Sequence, residues 1–109
     1  MVKFYTYYQN NSGGGFITNN DVKEYVIIEA HSSEQANDIA ENIGIYFDGM
    51  LSGEDCSCCG SRWNEQYADN GDPEPMVFDT PVHEAEGGLF TKECIIHYLN
   101  GAKEVVKLK

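Results

Sequence analysis

The sequence predicts an α+β domain: a small antiparallel sheet, one packed helix, a C-terminal β-hairpin and long irregular loops. Three observations predict it. One segment repeats apolar residues at helical spacing behind a capping signal. Two segments near the start of the chain are aromatic and β-branched, as strands are. The chain also ends on two alternating runs about Asn100-Gly101, a strong short-range hairpin signal. At 109 residues, 41% hydrophobic and 12% aromatic, the chain is long and apolar enough for one domain, 1–109, with a modest core.

The elements follow in order. "KFYTYYQ" from Lys3 reads as a strand, and "NNSGGGF" from Asn10 reads as a turn or loop tolerant of positive φ. "EYVIIEA" from Glu24 is a second strand, apolar enough to be central. Ser32 then caps a helix, with Gln35 at the capping-box position. Ala36, Ile39, Ala40 and Ile43 make its apolar face, Glu34, Asp38 and Glu41 its wet face, and Gly44 its stop. "IYFDG" from Ile45 is expected to be a short strand running into a turn, with Tyr46 and Phe47 in the core. "ADNGDPEP" is a polar connection, "MVFD" a short edge strand beside Pro75 and Pro81, and "HEAEGG" a loop. "ECIIHYL" and "KEVVKL" close the chain as the hairpin.

Loops this long need support, and "DCSCCGSRW", residues 55–63, offers it. Three of the four cysteines sit here, and Cys56 and Cys59 form C-x-x-C with Gly60 directly after. That spacing lets two thiolates converge on one ion from a tight turn. A tetrahedral zinc needs further ligands, for which Cys58, Cys94, His97, His83 and His31 are candidates. Residues three apart on a strand point to opposite faces, so Cys94 and His97 do not serve together on a regular strand. Cys94 shares a face with Ile96 and Tyr98 and reads as a small buried hydrophobe. The favoured set is Cys56, Cys58, Cys59 and His97, holding a structural zinc; Cys58 standing aside as a free thiol, and Cys94 or His83 completing the site, are the open alternatives. Plain thiols and redox or disulfide chemistry are the alternatives. The chain shows no signal-peptide pattern and no long apolar run, which points to the cytoplasm, where disulfides are rare.

Catalytic patterns are missing from the sequence. H-x-E…P-C-x-x-C, H-E-x-x-H and the nucleophile elbow are all absent, and "NNSGGGF" lacks the Lys-Ser/Thr ending of a phosphate loop. The charge points elsewhere. The net charge is −11, and residues 24–91 carry 15 acids against a single base, Arg62. Such a surface repels nucleic acid and anionic membranes and suits a basic protein partner; solubility alone is the plainer explanation. Glu34, Asp38, Glu41 and Asp55 are the candidate contact acids, and Trp63 the candidate aromatic anchor.

"FYTYYQNNSGG", "YVIIEA" with its helix and "GIYFDG", "DCSCCGSRW" and the terminal "HYLNG" together resemble a family of small phage-encoded proteins. The resemblance covers most of the chain and is weakest over 68–88. It implies an inhibitory protein acting against host defence, with an anti-CRISPR role against a type II RNA-guided nuclease foremost. Such nucleases hold nucleic acid in positively charged channels, which an acidic protein can approach. The alternatives are a small metal-dependent or thiol redox enzyme, and an accessory protein that binds another phage protein.

Overall fold

The computed structural model describes residues 2–10, 16–47, 61–85 and 92–108. Strand β1 (Lys3–Tyr8) pairs antiparallel with β2 (Tyr25–Ala30), from Lys3 opposite Ala30 to Tyr8 opposite Tyr25. Helix α1 (Ser33–Asn42) follows β2 directly. Two short strands, β3 (Met76–Val77) and β4 (Thr80–Pro81), form a separate hairpin that leads into a 3-10 turn over Val82–Glu84. β5 (Glu93–His97) and β6 (Lys103–Lys107) are the expected terminal hairpin, turning at Gly101 with φ +92. The four long strands lie in the order β1-β2-β5-β6.

The α+β class holds, and one feature of the sheet differs from expectation. β2 and β5 run parallel, with Tyr25 opposite Cys94 and Ile28 opposite His97, so the sheet is mixed. A parallel pair needs a crossover of a dozen residues or more, and the long stretch between β2 and β5 supplies one. An apolar run encodes burial but not direction, so the sequence pattern did not distinguish the two arrangements.

Both faces of the sheet are covered. On one face Tyr5, Tyr7, Val26, Ile28, Ala30 and Ile95 meet Ala36 and Ala40 of α1, together with Ile45 and Trp63. On the other, Tyr25, Ile27, Cys94, Ile96 and Val106 meet Val77, Val82, Ala85 and Leu108. This explains the continuous apolar run of β2, since a strand buried on both faces does not alternate.

The helix forms as its sequence predicts. The Gln35 N–H donates to Ser32 Oγ at 3.1 Å, and Gln35 Oε1 accepts from the His31 N–H at 2.7 Å, one residue earlier than in a standard capping box. Gly44 ends it at φ +106. Residues 45–47 are then not a strand: Ile45 donates its N–H to Ala40 at 3.0 Å and is buried, while Tyr46 and Phe47 pack against the helix-side core. The glycine reversal returns the chain onto the core before it can find a strand partner. Of "MVFD", only Met76 and Val77 are strand; Phe78 and Asp79 form a two-residue turn.

Between these cores the chain passes around the outer edge of β1. The Asn10 N–H donates to Arg62 O at 2.8 Å, Gln66 Nε2 donates to Thr6 O at 2.8 Å, and Phe4 and Asp72 exchange both backbone bonds at 2.8 and 2.9 Å. Asn37 of α1 locks this segment in place. Its Oδ1 accepts from Tyr7 Oη at 2.7 Å and from the Gln66 N–H at 2.9 Å, while its Nδ2 donates to Gln66 O at 3.0 Å. Gly71 lies so close to β1 that a Cβ there would stand 2.9 Å from both Lys3 Cδ and Tyr5 Cε1, and its φ is +100. Trp63, expected as a surface anchor, is only 2% exposed and belongs to the helix-side core. A segment crossing a sheet edge needs an apolar group to seat it, and Trp63 provides that here.

Truncating Trp63→Ala is expected to cost about 3–5 kcal/mol of stability. Gly71→Ala should cost more than about 1 kcal/mol, since the site combines positive φ with close contact from the Lys3 and Tyr5 side chains. Glu34→Ala, on the exposed helix face, should change stability by no more than about 0.5 kcal/mol. Urea unfolding midpoints at constant m-value measure all three, and a near-neutral Trp63→Ala would contradict the packing described.

Candidate functional site

Glu34, Asp38 and Glu41 stand exposed on the side of α1 away from Ala36 and Ala40. Glu34 lies in the first turn, where a negative charge suits the helix dipole. Glu41 lies near the C-terminal end, where it opposes the dipole, and no basic residue sits in the last turn to offset it. Helix stability accounts for Glu34 and not for Glu41.

Arg62 is turned toward the fold. Its Nη1 donates to Gln9 Oε1 at 3.0 Å and its Nε to Tyr46 Oη at 3.2 Å. Gln9, itself buried, also accepts from the Ile17 N–H at 2.6 Å and donates to the carbonyls of Ile17 and Lys23 at 3.0 Å each. The one base of residues 24–91 thus helps to tie the 16–23 loop and the end of β1 together. It is only partly exposed among the many acids of that segment.

Of the expected metal set, Cys56, Cys58 and Cys59 lie outside the described residues, as does Asp55. His97 is buried at the end of β5, and its Nε2 lies 2.8 Å from the carbonyl of Asp21. A carbonyl accepts, so Nε2 is the donor here, and in the neutral ring Nδ1 is then the nitrogen with the lone pair. Metal-bound histidines commonly donate their second N–H to a carbonyl in this way. Cys94 is fully buried with Ile96 in the opposite core, so the strand divides it from His97 as the alternation requires. Burial, with the Glu104 charge as a lesser cause, pushes its thiol up to about 12. His83 is held elsewhere, 2.8 Å from Glu104 Oε2. Among the described residues, no group of three His, Cys, Asp or Glu side chains is placed to hold a metal ion.

A second region was not legible in the sequence. Phe78 and Asp79, at the β3–β4 turn, have φ of +51 and +62. Phe78 stacks on Tyr8 with ring centroids 4.8 Å apart and meets Tyr25 edge-on at 5.7 Å, and its N–H donates to Tyr8 Oη at 2.9 Å. Beside this group a cleft of about 250 Å³ is lined by Thr6, Tyr8, Gln66, Asp69, Asp72 and Asp79, with Asn70 and Gly71. Burial, reinforced by the Asp79 charge, raises the Asp72 carboxyl above its ordinary value, and nearby Lys3 partly offsets this. The only sequence signal was the short apolar segment Met76-Val77 before "FD". Without Asn or Gly at the turn, the hairpin pattern was hidden.

Over residues 2–108 the chain matches a domain of unknown function, DUF7296. The chain belongs to the DUF7296 family. No curated protein and no solved structure matches it. The span matched to DUF7296 includes the six strands of the described residues, α1, the segment around β1 and the cysteine stretch.

Cys94 is expected to resist thiol reagents until the protein unfolds, so any rapid native-state labelling will map to Cys56, Cys58 or Cys59; peptide mapping after a short alkylation pulse checks this. A pH dependence is expected from Glu104, whose carboxyl is held below its usual 4.5 by hydrogen bonds from His83 and then Tyr98. A depressed folded-state pKa adds stability above the unfolded value that is lost as pH falls through the folded one. Glu104→Gln should therefore flatten the acid limb of the stability profile below pH 4.5, as read by thermal melts across that range.

Proposed function

We propose that the protein acts by binding, as an acidic inhibitor that docks on a basic, nucleic-acid-binding surface of another protein. The observation that carries this reading is the charge arrangement. Residues 24–91 hold 15 acids and one base, and that base, Arg62, points into the Gln9–Tyr46 contact. Glu34, Asp38 and Glu41 form a rigid exposed row, and Glu41 has no role in helix stability that its position would favour. Association with a basic surface would be steered by charge and weakened by salt.

The likeness to small phage-encoded proteins makes a type II RNA-guided nuclease the first target to test, in the cytoplasm of a host cell. Asp55 belongs to the proposed contact acids. A structural zinc on Cys56, Cys58, Cys59 and His97 is part of the same proposal, and the Nε2–carbonyl contact of His97 supports ligation through Nδ1.

The protein is expected to inhibit DNA cleavage by such a nuclease in vitro, more strongly at low salt than at high salt. Unchanged cleavage removes that target. Salt-insensitive capture of a neutral or acidic partner from host lysate removes the electrostatic reading. Neutralising Glu34, Asp38 and Glu41 together should weaken binding about tenfold, taking roughly 0.5 kcal/mol for each exposed charge pair. Elemental analysis of purified protein should find about one zinc per chain. No zinc, together with free Cys56, Cys58 and Cys59 in the native state, would remove the metal site.

A further inference from the structure

We propose that the cleft between β1 and the β3–β4 turn receives an arginine side chain of the partner protein, stacked on the Tyr8–Phe78 pair and forked onto the carboxylates of Asp72 and Asp79. This rests on the reading of a basic protein partner and assigns it a point of entry.

Phe78 is the most exposed large apolar residue described, at 64%, and the Tyr8 ring beneath it is 40% exposed. A two-residue turn with φ positive at both positions favours Asn-Gly, and a bulky side chain is strained there. The turn nevertheless presents a phenyl ring, with its backbone N–H fixed to Tyr8 Oη at 2.9 Å. The result is an aromatic surface open to solvent, carried on a turn whose backbone favours smaller residues.

Next to it, the cleft of about 250 Å³ has the dimensions of one long side chain, and carboxylates dominate its charge. An apolar surface beside carboxylates is complementary to a group that is flat, cationic and weakly hydrated. Guanidinium has those properties: it stacks on aromatic rings and presents paired N–H donors to carboxylate oxygens, whereas ammonium is a strongly hydrated point charge. One ring of this aromatic group already has a cation near it: Lys92 Nζ lies 5.8 Å from the Tyr25 ring centroid. Lys3 lies beside Asp72 without cancelling the charge of Asp79 and Asp69.

The probe is a capped tri-arginine peptide, titrated into isotopically labelled protein at low salt and followed by amide chemical shifts. Saturable shifts centred on Tyr8, Asp72, Phe78 and Asp79 are expected, with tri-lysine binding at least about fivefold more weakly. Phe78→Asn, which suits the turn, should keep or raise the melting temperature while lowering tri-arginine affinity about tenfold. Asp79→Asn, an exposed change, should lower affinity and leave the fold unchanged. Shifts centred on the Glu34–Glu41 face, equal binding of tri-lysine, or unchanged affinity in either variant would overturn the arginine site and leave the basic-partner reading standing. If tri-arginine causes no shifts anywhere at low salt, both fail.

Discussion

Between Arg62 and Asp72 the chain lies along the outer edge of β1, bound to it at Asn10, Thr6 and Phe4. The two cores depend on that contact. Trp63 enters the helix-side core at the start of the segment, and Val77, Val82 and Ala85 enter the opposite core soon after it. An open sheet edge exposes a row of unpaired backbone groups and invites pairing with other chains. Here the polar connection covers that edge. Asn37 is the pivot, because one helix side chain binds Tyr7 of β1 and both backbone groups of Gln66. A long connection without regular structure therefore keeps a defined path through side-chain bonds.

The same segment sets the electrostatics. It places Arg62 against Gln9 and Tyr46, and it brings Asp69 and Asp72 to one cleft with Tyr8 and Asp79. Several of the remaining bases make ion pairs at the other side of the sheet, where Lys103 meets Asp21 at 2.8 Å and Lys23 meets Glu93 at 3.8 Å. Exposed pairs of this kind add little stability. Both pairs lie outside residues 24–91 on their basic side, since Lys103 and Lys23 belong to the ends of the chain, where most of its bases are.

Much of the fold was legible because its signals are local. Ser32, Gln35, the Ala36–Ile43 spacing and Gly44 define a helix within one window, and Asn100-Gly101 defines a hairpin within another. The central place of β2 followed from "YVIIEA", and the burial of Cys94 from its alternation with Ile96. The candidate site was legible only in part. The exposed acids of α1 followed from periodicity, whereas Phe78 and Asp79 lacked the glycine or asparagine that marks their turn. Ile45 was misassigned because three apolar residues in a row fit a strand and a core-packed reversal equally well.

By itself the sequence determined the helix, the first two strands and the terminal hairpin, which of their faces would be buried, and where the negative charge would concentrate. These depend on residue type and spacing over a few positions, and local physics is sufficient for them. Only the tertiary structure decided that β2 and β5 run parallel, that Trp63 is a core residue, and that Tyr8 and Phe78, 70 residues apart, form one surface beside a carboxylate cleft. Each is set by contacts between distant segments, and nothing in the local pattern of either partner encodes the other.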